Sequence, residues 1–138
     1  MTITETSRLL GVIQAIDNRH VDDLTVTAWH DLLGDVNYPD AYEAVRQHRR
    51  SHPDVYLTPG HVLAGAKRIR STRIADTVIP TPPVPLEPWQ DIAFRRAAIT
   101  AIGDGAPVDA AARIACTAVG IDPRELEAPR TSAPQLGA

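Results

Sequence analysis

The sequence predicts an all-α protein: a compact four-helix N-terminal domain, a Pro-rich linker and a small C-terminal helical segment. Apolar residues recur at the three- and four-residue spacing of helices along most of the chain. Only six residues are aromatic, so the core must come from Leu, Ile, Val and Ala, a composition that favours close helix packing over a β-sheet. Five of the twelve prolines fall between residues 77 and 88 and mark the clearest boundary.

Two helices are predicted before Gly34. Thr2 and Glu5 have the spacing of a capping box, and the helix that follows them is expected to end near Asn18. Its apolar positions are Leu9, Leu10, Val12, Ile13 and Ile16. Asp22 or Asp23 can cap the second helix, which Gly34 would stop. Its predicted buried residues are Val26, Trp29, Leu32 and Leu33, with Trp29 as the core anchor.

The third and fourth helices are predicted on either side of Pro53. Pro39 fits the first turn of the third helix, and Pro53 stops it. Thr58 and Pro59 then supply the start of the fourth helix. The predicted apolar positions are Tyr38, Ala41, Tyr42 and Val45 on the third helix and Val62, Ala66 and Ile69 on the fourth.

The C-terminal half is predicted to hold two short helices after an extended spacer. Pro88 begins the first, with an apolar face of Trp89, Ile92, Ala93, Ala97 and Ile99. The second, after Pro107, has a narrow face of Val108, Ala111, Ala112, Ala115 and Val119, and a short turn through Leu126 follows. We therefore predict a domain at 1–76, a linker at 77–88, a helical segment at 89–128 and a disordered tail at 129–138.

Charges are sorted by sign along the N-terminal domain. Residues 1–45 hold eight acids against two bases, whereas residues 46–76 hold seven bases against two acids. This sorting predicts an exposed basic face. The two short helices after the linker hold little bulky apolar area, so we predict that this region docks onto the first domain, onto another copy of the chain or onto a partner. The predicted partner-binding residues are Arg46, Arg49, Arg50, Lys67, Arg68, Arg70, Arg73, Trp89 and Ile92. The basic face could meet DNA phosphates or an acidic protein, or it could remain solvated.

No motif for catalysis is present. The chain lacks a phosphate-binding Gly-rich loop, a Gly-x-Ser-x-Gly elbow and a His-Glu-x-x-His helix, so we predict no enzyme activity and no cofactor. His48 and His52 have metal-ligand spacing, but ordinary surface histidines explain them better. Cys116, among alanines, is predicted to be a buried structural thiol. One cysteine and no secretory or membrane-spanning pattern predict the cytoplasm and no membrane partner.

Roughly residues 4–75 resemble the N-terminal domain of the phage replicative-helicase loader and inhibitor family. The resemblance is carried by a pattern of hydrophobic and helix-start positions. These are Leu9-Leu10, residues 27–35 (TAWHDLLGD), residues 38–45 (YPDAYEAV) with His48, and residues 56–62 (YLTPGHV) leading to Arg70 and Arg73.

The resemblance implies a non-enzymatic adaptor whose compact helical domain is joined by a tether to a part that engages a hexameric helicase. We therefore expect a phage or prophage DNA-replication accessory protein whose partners are a replicative helicase, a replication initiator protein or both. The helices of residues 89–119 depart from the family's mostly unstructured C-terminal tail. The alternative is a small DNA-binding regulator that uses the basic face from Arg46 to Arg73, and a weak DNA contact is compatible with either function.

Overall fold

The computed structural model describes residues 1–126 and confirms the all-α prediction. Within this range there are six α-helices, one short 3-10 helix and no strand. None of these helices is both long enough and apolar enough to cross a membrane. The chain divides between Arg73 and Ile74 into two compact units, each with its own core. The tail predicted at 129–138, like residues 127 and 128, lies outside the described residues.

Local hydrogen bonds fix the first two helices where the sequence predicts them. In α1 (Ile3–Asp17) the backbone N–H of Glu5 donates to the hydroxyl of Thr2, and the N–H of Thr2 donates to the Glu5 carboxylate, which completes the capping box. Asn18 ends α1 in the left-handed conformation at φ 53°. The Asp22 carboxylate caps α2 (Asp23–Leu33) by accepting from the N–H of Thr25.

Helices α3 (Tyr38–Ser51) and α4 (Pro59–Ala75) lie antiparallel. Three contacts show the direction: Asp40 pairs with Arg73, Ala44 faces Gly65, and the ring of His48 stacks on that of His61. Residue numbers rise along α3 as they fall along α4, which defines an antiparallel pair. A Cβ placed on Gly65 would lie 2.7 Å from the Cβ of Ala44, so glycine permits this close approach.

The core of the first unit is made by one face from each of its four helices and by Leu57 of the connector between α3 and α4. Trp29 is 7% exposed and serves as the predicted anchor. The other buried apolar residues are Leu9, Leu10, Ile13, Leu33, Ala41, Ala44, Val45, Leu57, Val62 and Ala66. The prediction that Leu32 is buried is wrong, because Leu32 lies at the edge of the apolar stripe beyond Trp29 and is exposed. Ile16 and Tyr42, also placed on apolar faces, are exposed as well.

The second unit is built around α5 (Pro88–Gly103) and α6 (Val108–Ala118), followed by a 3-10 turn at Pro123–Leu126. Residues 76–87 contain no helix, yet Ile79 and Leu86 pack against the core of this unit. The core of the second unit is small. Its large, fully buried side chains are Phe94, Ile102 and Cys116, and the remaining buried side chains are mostly alanine.

Candidate functional site

Arg46, Arg49 and Arg73, which belong to the predicted partner-binding residues, form ion pairs within the first unit. Arg49 pairs with Asp17 at the end of α1, and Arg73 donates to the buried carboxylate of Asp40, with one nitrogen–oxygen distance of 3.2 Å. Arg46 lies 3.3 Å from Glu43 on its own helix. Part of the charge that is sorted by sign along the sequence is therefore neutralised by ion pairs in the folded unit.

Asp17 is the centre of the most buried charge cluster. The Nε of Arg19 donates to Asp17 at 2.9 Å, and another nitrogen of Arg19 donates to the Leu57 carbonyl at 2.9 Å. The Arg19 guanidinium also lies 4.3 Å from the ring centre of Tyr56 and 5.4 Å from that of Trp29. Hydrogen bonding from Arg19, assisted by the charges of Arg19 and Arg49, lowers the pKa of Asp17. This cluster ties the end of α1 to α3 and to the α3–α4 connector.

A smaller basic surface remains on the first unit. Arg50, Lys67 and Arg68 are exposed, whereas Arg70 is half-buried. Arg46 is exposed as well but pairs with Glu43, so we restrict the name basic surface to Arg50, Lys67 and Arg68. It spans the last turn of α3 and the middle of α4.

Helix α5 exposes the two predicted apolar partner-binding residues. Trp89 is 67% exposed and Ile92 is 60% exposed. The helix turns a different face to the core, with Phe94, Ala98, Ala101 and Ile102 buried. Sequence reasoning missed Phe94. Ala98, Ala101 and Ile102 follow Phe94 by four, seven and eight residues, and this spacing is typical of a buried helix face. We call Trp89 and Ile92 the α5 patch.

Beside the α5 patch, an open apolar groove of about 570 Å³ lies between α5 and α6. Alanines form much of its surface, and one cation and one anion lie among its lining residues. The lining residues are Ala93, Arg96, Ala97, Thr100, Ala101, Asp104, Ala106 and Ile114. Neither residue of the α5 patch lines this groove.

The histidine pair has the geometry of ring stacking. The ring centres of His48 and His52 lie 5.4 Å apart, and the ring of His61 stacks with that of His48 at 4.5 Å. The Nδ1 of His61 accepts from the backbone N–H of Thr58 at 3.1 Å. Within residues 1–126, no group of three or more His, Cys, Asp or Glu side chains is placed to hold a metal ion.

Cys116 lies in the core of the second unit with no exposed surface. Burial raises the pKa of its thiol, and the nearby charge of Glu125 acts in the same direction. A thiol in this setting is protonated and inaccessible, which is the opposite of an activated nucleophile.

Comparison of the chain with protein-family models, with curated proteins and with solved structures finds no match. The candidate site therefore rests on the geometry of the chain itself: the basic surface on the first unit, and the α5 patch and groove on the second.

Proposed function

We propose that the protein is a non-enzymatic adaptor of DNA replication, a phage or prophage accessory protein that loads or restrains a replicative helicase through protein–protein contacts in a bacterial cytoplasm. The observation that carries this proposal is the exposure of Trp89 and Ile92 on α5. The resemblance of residues 4–75 to the helicase-loader family indicates the class of partner.

The α5 patch has the composition of an interaction hot spot. Trp is enriched among residues that dominate binding energies, since one side chain buries a large area and loses little conformational freedom. Ile92 follows Trp89 by three positions, so both side chains project from neighbouring turns of the same helix. An exposed Trp beside an exposed Ile would remain in unfavourable contact with water unless a partner covered it.

The basic surface supplies a second contact of different character. Arg50, Lys67 and Arg68 favour an acidic segment on the helicase or on an initiator protein, and their exposed charges would mainly accelerate association. The adaptor therefore has an apolar anchor on one unit and an electrostatic contact on the other.

The proposal is tested by measuring the affinity of the purified chain for the replicative helicase of its host bacterium. Trp89→Ala is expected to weaken binding by about 30-fold, the effect of losing about 2 kcal/mol at a hot spot. Leu24→Ala is the matched control, because Leu24 is a 77% exposed apolar residue in the first unit. It should leave the affinity unchanged. An absence of wild-type binding, or equal affinities for the Trp89 and Leu24 variants, would refute the proposal.

DNA binding by the basic face is the alternative function. With Arg46, Arg49 and Arg73 in ion pairs, the exposed surface offers Arg50, Lys67 and Arg68 to phosphates. Three phosphate contacts predict a slope of about −3 in a plot of log affinity for duplex DNA against log salt. A steep slope that Lys67→Ala reduces by about one would favour the DNA-binding regulator. Binding of the helicase through the apolar α5 patch predicts a much shallower slope.

A further inference from the structure

The exposed face of α5 continues beyond the α5 patch. Ile99 is a further apolar residue on this helix and is 37% exposed, and Arg96 is exposed between Ile92 and Ile99. Steps of three, four and three positions lead from Trp89 to Ile92, Arg96 and Ile99, which is the spacing with which one helix packs along another. We call these four residues the α5 seam. With a rise of about 1.5 Å per residue, the seam runs for about 15 Å along the helix.

The α5 seam lies on the side of the helix that faces away from the core of the second unit. An α-helix turns by about 100° per residue, which puts Phe94, Ala98 and Ala101 on the side opposite the seam. These three side chains are buried. The core of the second unit therefore does not cover the seam, and its exposed Trp and Ile side chains favour contact with a partner.

The charges on α5 indicate the chemistry of that partner. Arg96 is exposed within the seam, and no ion pair with another residue of 1–126 neutralises its charge. Asp91 is the acidic residue within α5, and Arg95 already donates to its carboxylate at 2.9 Å. A neutral or basic partner surface would bury the Arg96 guanidinium without a counter-charge, which is strongly unfavourable. A carboxylate that faces Arg96 would supply the counter-charge, so these charges favour an acidic partner.

A second copy of the seam does not meet this requirement. Two seams packed in parallel would place the two Arg96 side chains against each other, which is repulsive. Two seams packed antiparallel about their midpoint would place each Arg96 against Ile92 of the other copy. In neither arrangement does the seam itself offer a carboxylate to Arg96, so the charge of Arg96 favours a different molecule.

We infer that the α5 seam is the docking site of an acidic amphipathic helix of the partner protein. Aliphatic side chains of that helix cover Trp89, Ile92 and Ile99, and one of its carboxylates accepts from the Arg96 guanidinium in the charge-assisted, bidentate manner that arginine favours. The inference rests on the proposed function, because it names the kind of segment with which the helicase would occupy the α5 patch. It adds Arg96 and Ile99 to that site.

Two synthetic helical peptides test the chemistry of the docked helix. Both carry leucines at alternating steps of three and four positions, and the flanking positions hold glutamates in one peptide and lysines in the other. Their affinities for the full chain are measured by NMR titration up to about 1 mM peptide. The acidic peptide should bind at least about tenfold more tightly than the basic one, and Arg96→Glu should reverse that preference.

Arg124→Glu is the matched control, because Arg124 is exposed on the 3-10 turn of the same unit and the substitution changes the net charge equally. It should keep the preference of wild type for the acidic peptide. If neither peptide binds, or if Arg96→Glu prefers the acidic peptide as strongly as Arg124→Glu does, the inference is overturned.

The host's replicative helicase separates this inference from the proposed function. Arg96→Glu should weaken helicase binding by about tenfold or more, and Arg124→Glu should leave the affinity unchanged. If Trp89→Ala weakens binding but Arg96→Glu does not, the proposed function stands and the inference is overturned. If the helicase does not bind and the peptides show the expected reversal, the helicase is refuted as the partner and the docking site for an acidic helix is upheld.

Discussion

The contact between Gly65 and Ala44 allows a stability prediction to be worked from atomic distances. A Cβ on Gly65 would lie 2.7 Å from the Cβ of Ala44 and 3.4 Å from its Cα. The Cβ of Ala44 cannot rotate away, since it is fixed to the backbone of α3. Accommodating Gly65→Ala therefore requires α3 and α4 to separate.

The expected free-energy change is the balance of two effects. Replacing a helical glycine by alanine gains about 1 kcal/mol in helix propensity, whereas overpacking a close contact costs about 1–3 kcal/mol. Because the separation is as short as 2.7 Å, we expect the overpacking cost to lie in the upper part of its range. Gly65→Ala should thus lower the free energy of unfolding by about 1–2 kcal/mol. Gly11→Ala is the control: a Cβ there meets nothing within 4 Å, so it should raise that free energy by about 0.5–1 kcal/mol.

The double variant Ala44→Gly, Gly65→Ala tests whether the clash is the cause. It exchanges the two residues, leaves 3.4 Å to the nearest backbone atom of residue 44 and keeps one alanine and one glycine in the helix pair. Its unfolding free energy should return to within about 0.5 kcal/mol of wild type, because the summed helix propensity is unchanged.

Urea unfolding followed by Trp29 fluorescence measures these changes. A Trp89→Phe background makes Trp29 the remaining tryptophan, so the signal reports on the first unit alone. If Gly65→Ala stabilises the unit as much as Gly11→Ala does, α3 and α4 are not in close contact and the packing described above is wrong.

Three further predictions concern buried groups. Arg73→Ala should cost about 2 kcal/mol because it removes the ion pair of the buried Asp40 carboxylate, and a double-mutant cycle with Asp40→Asn, followed by urea unfolding, should show coupling between the two. The lowered pKa of Asp17 means that the folded state binds its proton less readily than the unfolded state, so its contribution to stability is complete above about pH 5 and is lost as the pH falls through the folded pKa. Urea midpoints between about pH 2 and 6 should decline with acidity less steeply in Asp17→Asn than in wild type. Cys116 should react with a thiol reagent at least about tenfold more slowly in the native protein than in urea, because burial blocks access and raises its pKa.

Helix boundaries were predictable because local hydrogen bonds set them. Thr2 and Glu5 form the expected capping box, and Asp22 caps α2 through a residue three positions away. Asn37 does the same for α3, with Pro39 in the first turn. Each of these hydrogen bonds joins residues three positions apart, so the helix starts can be predicted from neighbouring positions in the sequence.

The pairing of charges was not predictable from the same signals. Asp17 meets Arg49 across 32 positions, and Asp40 meets Arg73 across 33. Only the packing of the helices brings these groups together. The basic face expected from the sorted charges is consequently smaller than the sequence indicates, because Arg49 and Arg73 stabilise the first unit.

The buried face of α5 was not predictable either. Helix periodicity allows two overlapping apolar stripes on this helix, and only the structure shows that the stripe containing Phe94 faces the core.

The most direct test of the adaptor account is a strand-separation assay with the host's replicative helicase. Adding the wild-type chain should change the rate at which the helicase is loaded on or unwinds a forked duplex, and Trp89→Ala should abolish most of that change while Leu24→Ala preserves it. A helicase rate unaffected by the wild-type chain at concentrations well above the helicase would contradict the account.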